Sequence, residues 1–133
     1  MIVVDTNLLV YLYVRGQGSA AADKVYRRDQ EWAAPALWRS EFRNVLAFLV
    51  RRRELPLDDA VRFAHEAERH MSGQEYSIVS HRVLQLAAES GCSAYDCEFV
   101  ALARDLEVPL VTADRQLLAA FPSTAVSPEA FVG

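Results

Sequence analysis

Five short apolar runs punctuate the sequence, Ile2–Val4, Trp32–Ala34, Tyr76–Val79, Pro109–Thr112 and Thr124–Val126, and each is bounded by polar or turn residues. The stretches between them carry helical patterns, at about Leu8–Val14, Ser19–Arg28, Ala36–Arg53, Leu57–Met71, His81–Ser90, Ala94–Leu106 and Arg115–Ala120. Pro35 and Pro56 suit the start of a helix, because proline is tolerated in a first turn. This alternation constrains the fold more than any other feature. Strands joined by helical crossovers run parallel, so the expected fold is α/β, a mainly parallel sheet with helices on both faces. No repeat, low-complexity tract or linker divides the chain, and 133 residues suit one domain, expected to span residues 1–133. In open sheets of this kind, sites gather beyond the carboxyl ends of the strands.

The composition, 52% hydrophobic and 24% charged, excludes a disordered or fibrous chain. The opening Met1-Ile2-Val3-Val4-Asp5 lacks the features of a signal peptide, and no apolar run approaches the ~20 residues that span a bilayer. The expected compartment is the cytoplasm, with no membrane partner. A formal charge of −4 argues against coating nucleic acid through bulk positive charge, although bound cations can offset acids locally. Lys24 is the only lysine, and the basic runs Arg27-Arg28 and Arg51-Arg52-Arg53 read as solvated helix ends that could also touch phosphates. Cys92 and Cys97 fit no redox pair or metal-binding motif and read as packed thiols. His65 and His70 miss the i, i+4 spacing of a zinc pair, so these and His81 read as surface or capping residues.

Four acids fall where the fold directs attention. Asp5 ends the first strand, and Asp114 follows the strand Pro109–Thr112 and opens the last helix. Either could be a helix N-cap and nothing more. Asp96 also has a local explanation, because Ser93-x-x-Asp96 matches a capping box. Glu41 has no such explanation. At about 100° per residue, Leu37, Trp38, Phe42, Val45, Leu46, Phe48, Leu49 and Val50 fill one arc of a helix, and Glu41 lies inside it. A carboxylate on a buried stripe is costly unless it is paired, bound to a cation or able to reach solvent. The aromatic residues Trp38, Phe42 and Phe48 read as part of this core stripe. If the acids share a site, crowded carboxylates either take up protons or bind cations. Hard oxygen ligands suit Mg²⁺ or Mn²⁺, the chemistry of phosphodiester cleavage.

Here the residues resemble a known family, the PIN-domain ribonucleases, and within it the VapC-type toxins of toxin–antitoxin pairs. The matching pieces are Val4-Asp5-Thr6-Asn7, Ser40-Glu41-Phe42, Ala94-Tyr95-Asp96-Cys97 and Val111-Thr112-Ala113-Asp114, in the family's order. The resemblance implies a Mg²⁺- or Mn²⁺-dependent endoribonuclease whose catalytic and metal-holding residues are Asp5, Glu41, Asp96 and Asp114. It implies support from Asn7 and Thr112, by hydrogen bonding to an acid or a metal-bound water, and Glu98 as an additional outer ligand. It further implies a five-stranded sheet in the order 3-2-1-4-5, a homodimer, an RNA substrate and a cognate antitoxin protein that blocks the site.

Two other functions fit parts of the pattern. An aspartyl-phosphate phosphatase would use an acid placed like Asp5, but it calls for a second acid where Asn7 stands and for a lysine late in the chain. A non-catalytic binding protein could use the same fold for RNA or protein contact.

Overall fold

The computed structural model describes residues 1–133 and places β1 (Ile2–Val4) at the centre of a five-stranded, all-parallel sheet. β2 (Trp32–Pro35) and β3 (Glu75–Tyr76) extend it on one side, and β4 (Leu110–Val111) and β5 (Ala125–Val126) on the other. The order is β3-β2-β1-β4-β5, as the resemblance implied, with Ile2 opposite Trp32 and Val3 opposite Leu110. Successive side chains of β1 point to opposite faces, and Ile2, Val3 and Val4 are all buried, so both faces are covered. The covering helices are α1 (Thr6–Tyr13), α2 (Ser19–Arg28), α3 (Trp38–Arg51), α4 (Leu57–His70), α5 (Ser80–Ser90), α6 (Ala94–Leu106), α7 (Arg115–Ala120) and α8 (Pro128–Val132). None is long and apolar enough to cross a membrane.

The strand order reverses between β1 and β4, which opens a crevice at their carboxyl ends. The ladder continues into the residues that border it. The Asp5 N–H donates to the Val111 carbonyl at 3.4 Å, and the Thr112 N–H to the Val126 carbonyl at 3.0 Å.

Several expectations need correction. β3 covers Glu75–Tyr76 and not Tyr76–Val79, because its pairing with β2 ends at Pro35 opposite Tyr76. Pro35 itself closes β2, and α3 starts only at Trp38. α8 was not expected, although Ser127-Pro128 is a helix start in which the Ser127 hydroxyl accepts from the Ala130 N–H at 3.1 Å. Trp38 and Phe42 are in the core, but Phe48 is 50% exposed, with the Arg52 guanidinium 5.2 Å from its ring centre. His70 is half-buried, not a surface residue. Its Nδ1 lies 2.9 Å from the Tyr13 hydroxyl and its ring packs against Tyr26 and Trp32. His65 and His81 are exposed, and Cys92 and Cys97 are buried and free.

Two helices end in the left-handed region. Gly91 closes α5 at φ 75°, where it meets no steric penalty, whereas Glu107 closes α6 at φ 56°. A Cβ is strained there, and Glu107 is exposed. Glu107→Gly is expected to stabilise the protein by roughly 0.5–1 kcal/mol, seen as a higher urea midpoint at an unchanged slope. A lower midpoint would show that the glutamate side chain contributes more than the strain costs.

Candidate active site

Each of the four acids enters the crevice from the first turn of a different helix. Asp5 is the N-cap of α1, its carboxylate accepting the Leu8 N–H at 3.0 Å. Asp114 is the N-cap of α7 and accepts from the Gln116 and Leu117 N–H groups at 2.8 and 3.2 Å. Asp96 lies in the first turn of α6, where the Ser93 hydroxyl accepts its backbone N–H at 3.0 Å. The reciprocal bond of a capping box is not made, because the Asp96 carboxylate is turned into the crevice. Glu41 sits in the first turn of α3. All four line one cleft of 220 Å³, together with Thr6, Asn7 and Asn44. Four helix N-termini therefore border it, and their positive ends favour anions there.

Two threonines organise these acids. The Thr112 hydroxyl, fully buried, donates to Asp5 Oδ2 at 2.5 Å and accepts the Asp114 N–H at 3.0 Å, so it joins the ends of β1 and β4. The Thr6 hydroxyl donates to Glu41 Oε1 at 2.7 Å. Thr112 was expected from the sequence in a supporting place, and Thr6 was not. The partners of Thr6 lie 35 residues apart, a separation that no local pattern reports. Asn44 was missed too, although it stands three residues after Glu41 and so on the same helical face.

The remaining expected residues are less engaged. Asn7 borders the cleft but makes no hydrogen bond to an acid. Glu98 does not line the cleft, although its carboxyl is raised by burial and then by the charge of Glu41.

Burial and the charge of neighbouring carboxylates leave Asp5, Glu41 and Asp96 reluctant to ionise. Burial raises Asp5 from 3.8 to about 6, against the lowering effect of its bonds from Thr112 and Leu8, and the charges of Asp114 and Asp96 add to the rise. Glu41 and Asp96 are raised as well, each first by burial, then by the charge of Asp96 and Asp114 respectively. Such a group gains from a cation. The free lone pairs belong to hard oxygens: Glu41 Oε2 and Asp114 Oδ2 accept no protein hydrogen bond. No three acids are drawn into a closed, metal-sized cage. An open arrangement fits an ion that keeps several waters and takes one or two carboxylates, as Mg²⁺ does.

Residues 2–121 match the family model described as "PIN domain". The chain is 31% identical over 125 residues to Ribonuclease VapC3 of Pyrobaculum aerophilum, a match covering 92% of this chain and 95% of that one. A solved structure from the same organism superposes with a TM-score of 0.78 at 25% identity, covering 98% of this chain and 92% of the other. A toxin-antitoxin complex from Klebsiella pneumoniae shares the fold, with a TM-score of 0.71 at 18% identity over 96% of this chain and 98% of its counterpart.

Proposed function

Because the chain belongs to the PIN domain family, we propose that it is a metal-dependent endoribonuclease and the toxin of a toxin–antitoxin pair. The observation that carries the nuclease reading is the meeting of Asp5, Glu41, Asp96 and Asp114, from four separate segments, in one cleft at the β1/β4 switch point. Capping explains Asp5 and Asp114 singly, and explains neither Asp96 and Glu41 nor why the four meet.

In this reading the four acids would hold Mg²⁺ or Mn²⁺, one or two of them directly and the others through the waters that the ion keeps. When bound, the ion supplies an activated water and screens the charge that develops on the phosphate. Both oxygens of Asp5 accept a hydrogen bond and Glu41 accepts one, so the remaining lone pairs of Asp5 and the free Glu41 Oε2 are aimed before substrate arrives. The helix N-termini bordering the cleft favour the RNA phosphate, which helps bring a polyanion to an acidic site. Hydrolysis adds the water oxygen to phosphorus and breaks the bond to O3′. The proton passes to that oxygen, leaving a 5′-phosphate and a 3′-hydroxyl. Asn7 and Glu98 belong to the surroundings of the ion, and Asn7 is placed to bond a water.

The toxin reading draws on the likeness to Ribonuclease VapC3. It brings with it a cognate antitoxin and a homodimeric, cytoplasmic protein as further parts of the proposal.

The test is cleavage of an RNA pool by the purified chain after chelation. No cleavage is expected in EDTA, with recovery on adding excess Mg²⁺ or Mn²⁺ and with products that carry 5′-phosphates. Cleavage indifferent to chelator would overturn the metal reading. Binding of RNA with no cleavage in either metal would make the chain a non-catalytic PIN-fold binding protein.

A further inference from the structure

A second cavity, of 560 Å³, adjoins the acid cleft and shares Asp5, Asn7 and Val45 with it. Its size falls within the ~300–1,000 Å³ typical of small-molecule sites. α1 forms one wall, with Asn7 at the cleft and Tyr11 one turn further on, about 6 Å along the axis. Leu49 of α3 and Pro128 of α8 add apolar surface opposite. The Tyr11 ring is held in place by Gly18: a Cβ there would lie 2.5 Å from Tyr11 Cγ and 2.6 Å from Cδ2. A larger residue at position 18 would displace the ring.

Of the six polar side chains that line this space, three are uncharged. The Tyr11 hydroxyl and the side-chain amides of Asn7 and Gln17 have no protein partner. The one cation on its wall, Arg15, is already spent in a two-pronged pair with Asp23 at 2.9 and 2.6 Å, and Asp5 and Glu129 are acidic. The cavity thus repels phosphate and suits a flat, neutral group that offers hydrogen bonds at its edge. Unpaired bases are recognised in this way, by stacking and by amide or hydroxyl bonds to their edges.

We propose that this cavity is a subsite for one unpaired nucleobase of the RNA, the base next to the phosphate held at the acids, with Tyr11 as its stacking surface. The proposal rests on the reading of the acid cleft as an RNA-cleaving site and adds what selects the cut.

The test uses the full chain with Mg²⁺ and compares the four nucleoside 5′-monophosphates with ribose 5-phosphate, followed by binding affinity and by the Tyr11 ring resonances. At least one nucleotide is expected to bind about tenfold more tightly than ribose 5-phosphate, as stacking on an aromatic ring provides, and to shift those resonances. Tyr11→Leu removes the ring and Leu49→Trp fills the space. Each, confirmed as folded by its amide spectrum, is expected to reduce the nucleotide to the affinity of ribose 5-phosphate. Equal binding of nucleotides and ribose 5-phosphate by the unaltered chain would overturn the proposal and leave the cavity to a peptide. So would a base preference that survives in a folded variant. If the unaltered chain cuts RNA but shows no base preference, the subsite fails and the nuclease stands. If it shows the preference but cuts nothing, the nuclease fails and the subsite stands.

Discussion

Asp5→Asn is expected to lower RNA cleavage by on the order of 10³-fold while raising the thermal midpoint of the metal-free protein at neutral pH. The two effects have one cause. Asp5 is raised from 3.8 to about 6 in the folded chain, chiefly by burial. Between those values the folded protein binds more protons than the unfolded one, so stability falls as pH rises through that window. Above about 6 the stability associated with the protonated carboxyl is gone, a loss of about 3 kcal/mol at most. Asparagine carries no charge and escapes that loss. Its carbonyl oxygen can still accept the Leu8 N–H and its amide can face the Thr112 hydroxyl, although the bond to a carboxylate is weakened. The net gain is expected to be roughly 1 kcal/mol, or about 3 °C, measured by calorimetry near neutral pH in EDTA. Below pH 4 the gain should vanish, because the native carboxyl is then protonated.

Added Mg²⁺ separates the two chains further. A ligand that binds only the folded state stabilises it in proportion to its occupancy, so the parent chain gains stability with metal and Asp5→Asn gains much less. Full cleavage by a well-folded Asp5→Asn would remove Asp5 from the chemistry. A less stable variant in EDTA would show that the lost hydrogen-bond strength outweighs the relief of charge.

The sequence made some of this legible for definite physical reasons. β1, α2, α6 and α7 have the bounds their apolar periods implied, because each is a local pattern that tertiary contacts reinforce. Glu41 stood out because a carboxylate among Trp38, Phe42 and Leu46 is improbable on a core-facing helix, and it is partly buried in the cleft. The two explanations of Asp5 and Asp114 are compatible, since one carboxylate oxygen caps a helix while the acid still borders the cleft. Other features escaped because their causes are distant in sequence. Phe48 lies on the apolar arc of α3, yet no element covers that end, and Arg52 covers it instead. His70 looked like a polar surface residue until Tyr13, 57 positions away, met its ring nitrogen. Thr6 gives no local sign of its role, because the Glu41 carboxylate that its hydroxyl holds lies 35 positions away.

Thr112 carries the second large expectation, because one buried hydroxyl serves Asp5 and Asp114, which are distant in sequence but not in space. Thr112→Val keeps the shape, so no cavity forms, and removes both of its hydrogen bonds. Asp5 Oδ2 then loses its donor and the Asp114 N–H its acceptor, at an expected cost of about 2–4 kcal/mol. The cost depends on pH with a definite sign. The Thr112 bond lowers Asp5, so its loss pushes that carboxyl above the present value of about 6. The destabilisation is therefore larger at neutral pH, where the carboxylate is charged, and shrinks as pH falls and the group protonates. Cleavage should drop by on the order of 10²-fold, with its acid limb displaced to higher pH, since the site must lose a more tightly held proton before a cation can bind. Thr112→Ser keeps the hydroxyl and should restore both the activity and the pH profile, at a small cost from the missing methyl. If Thr112→Val instead cleaves like the parent with the same acid limb, Thr112 only packs the end of β4. The alignment of Asp5 with Asp114 would then rest on their helix caps alone.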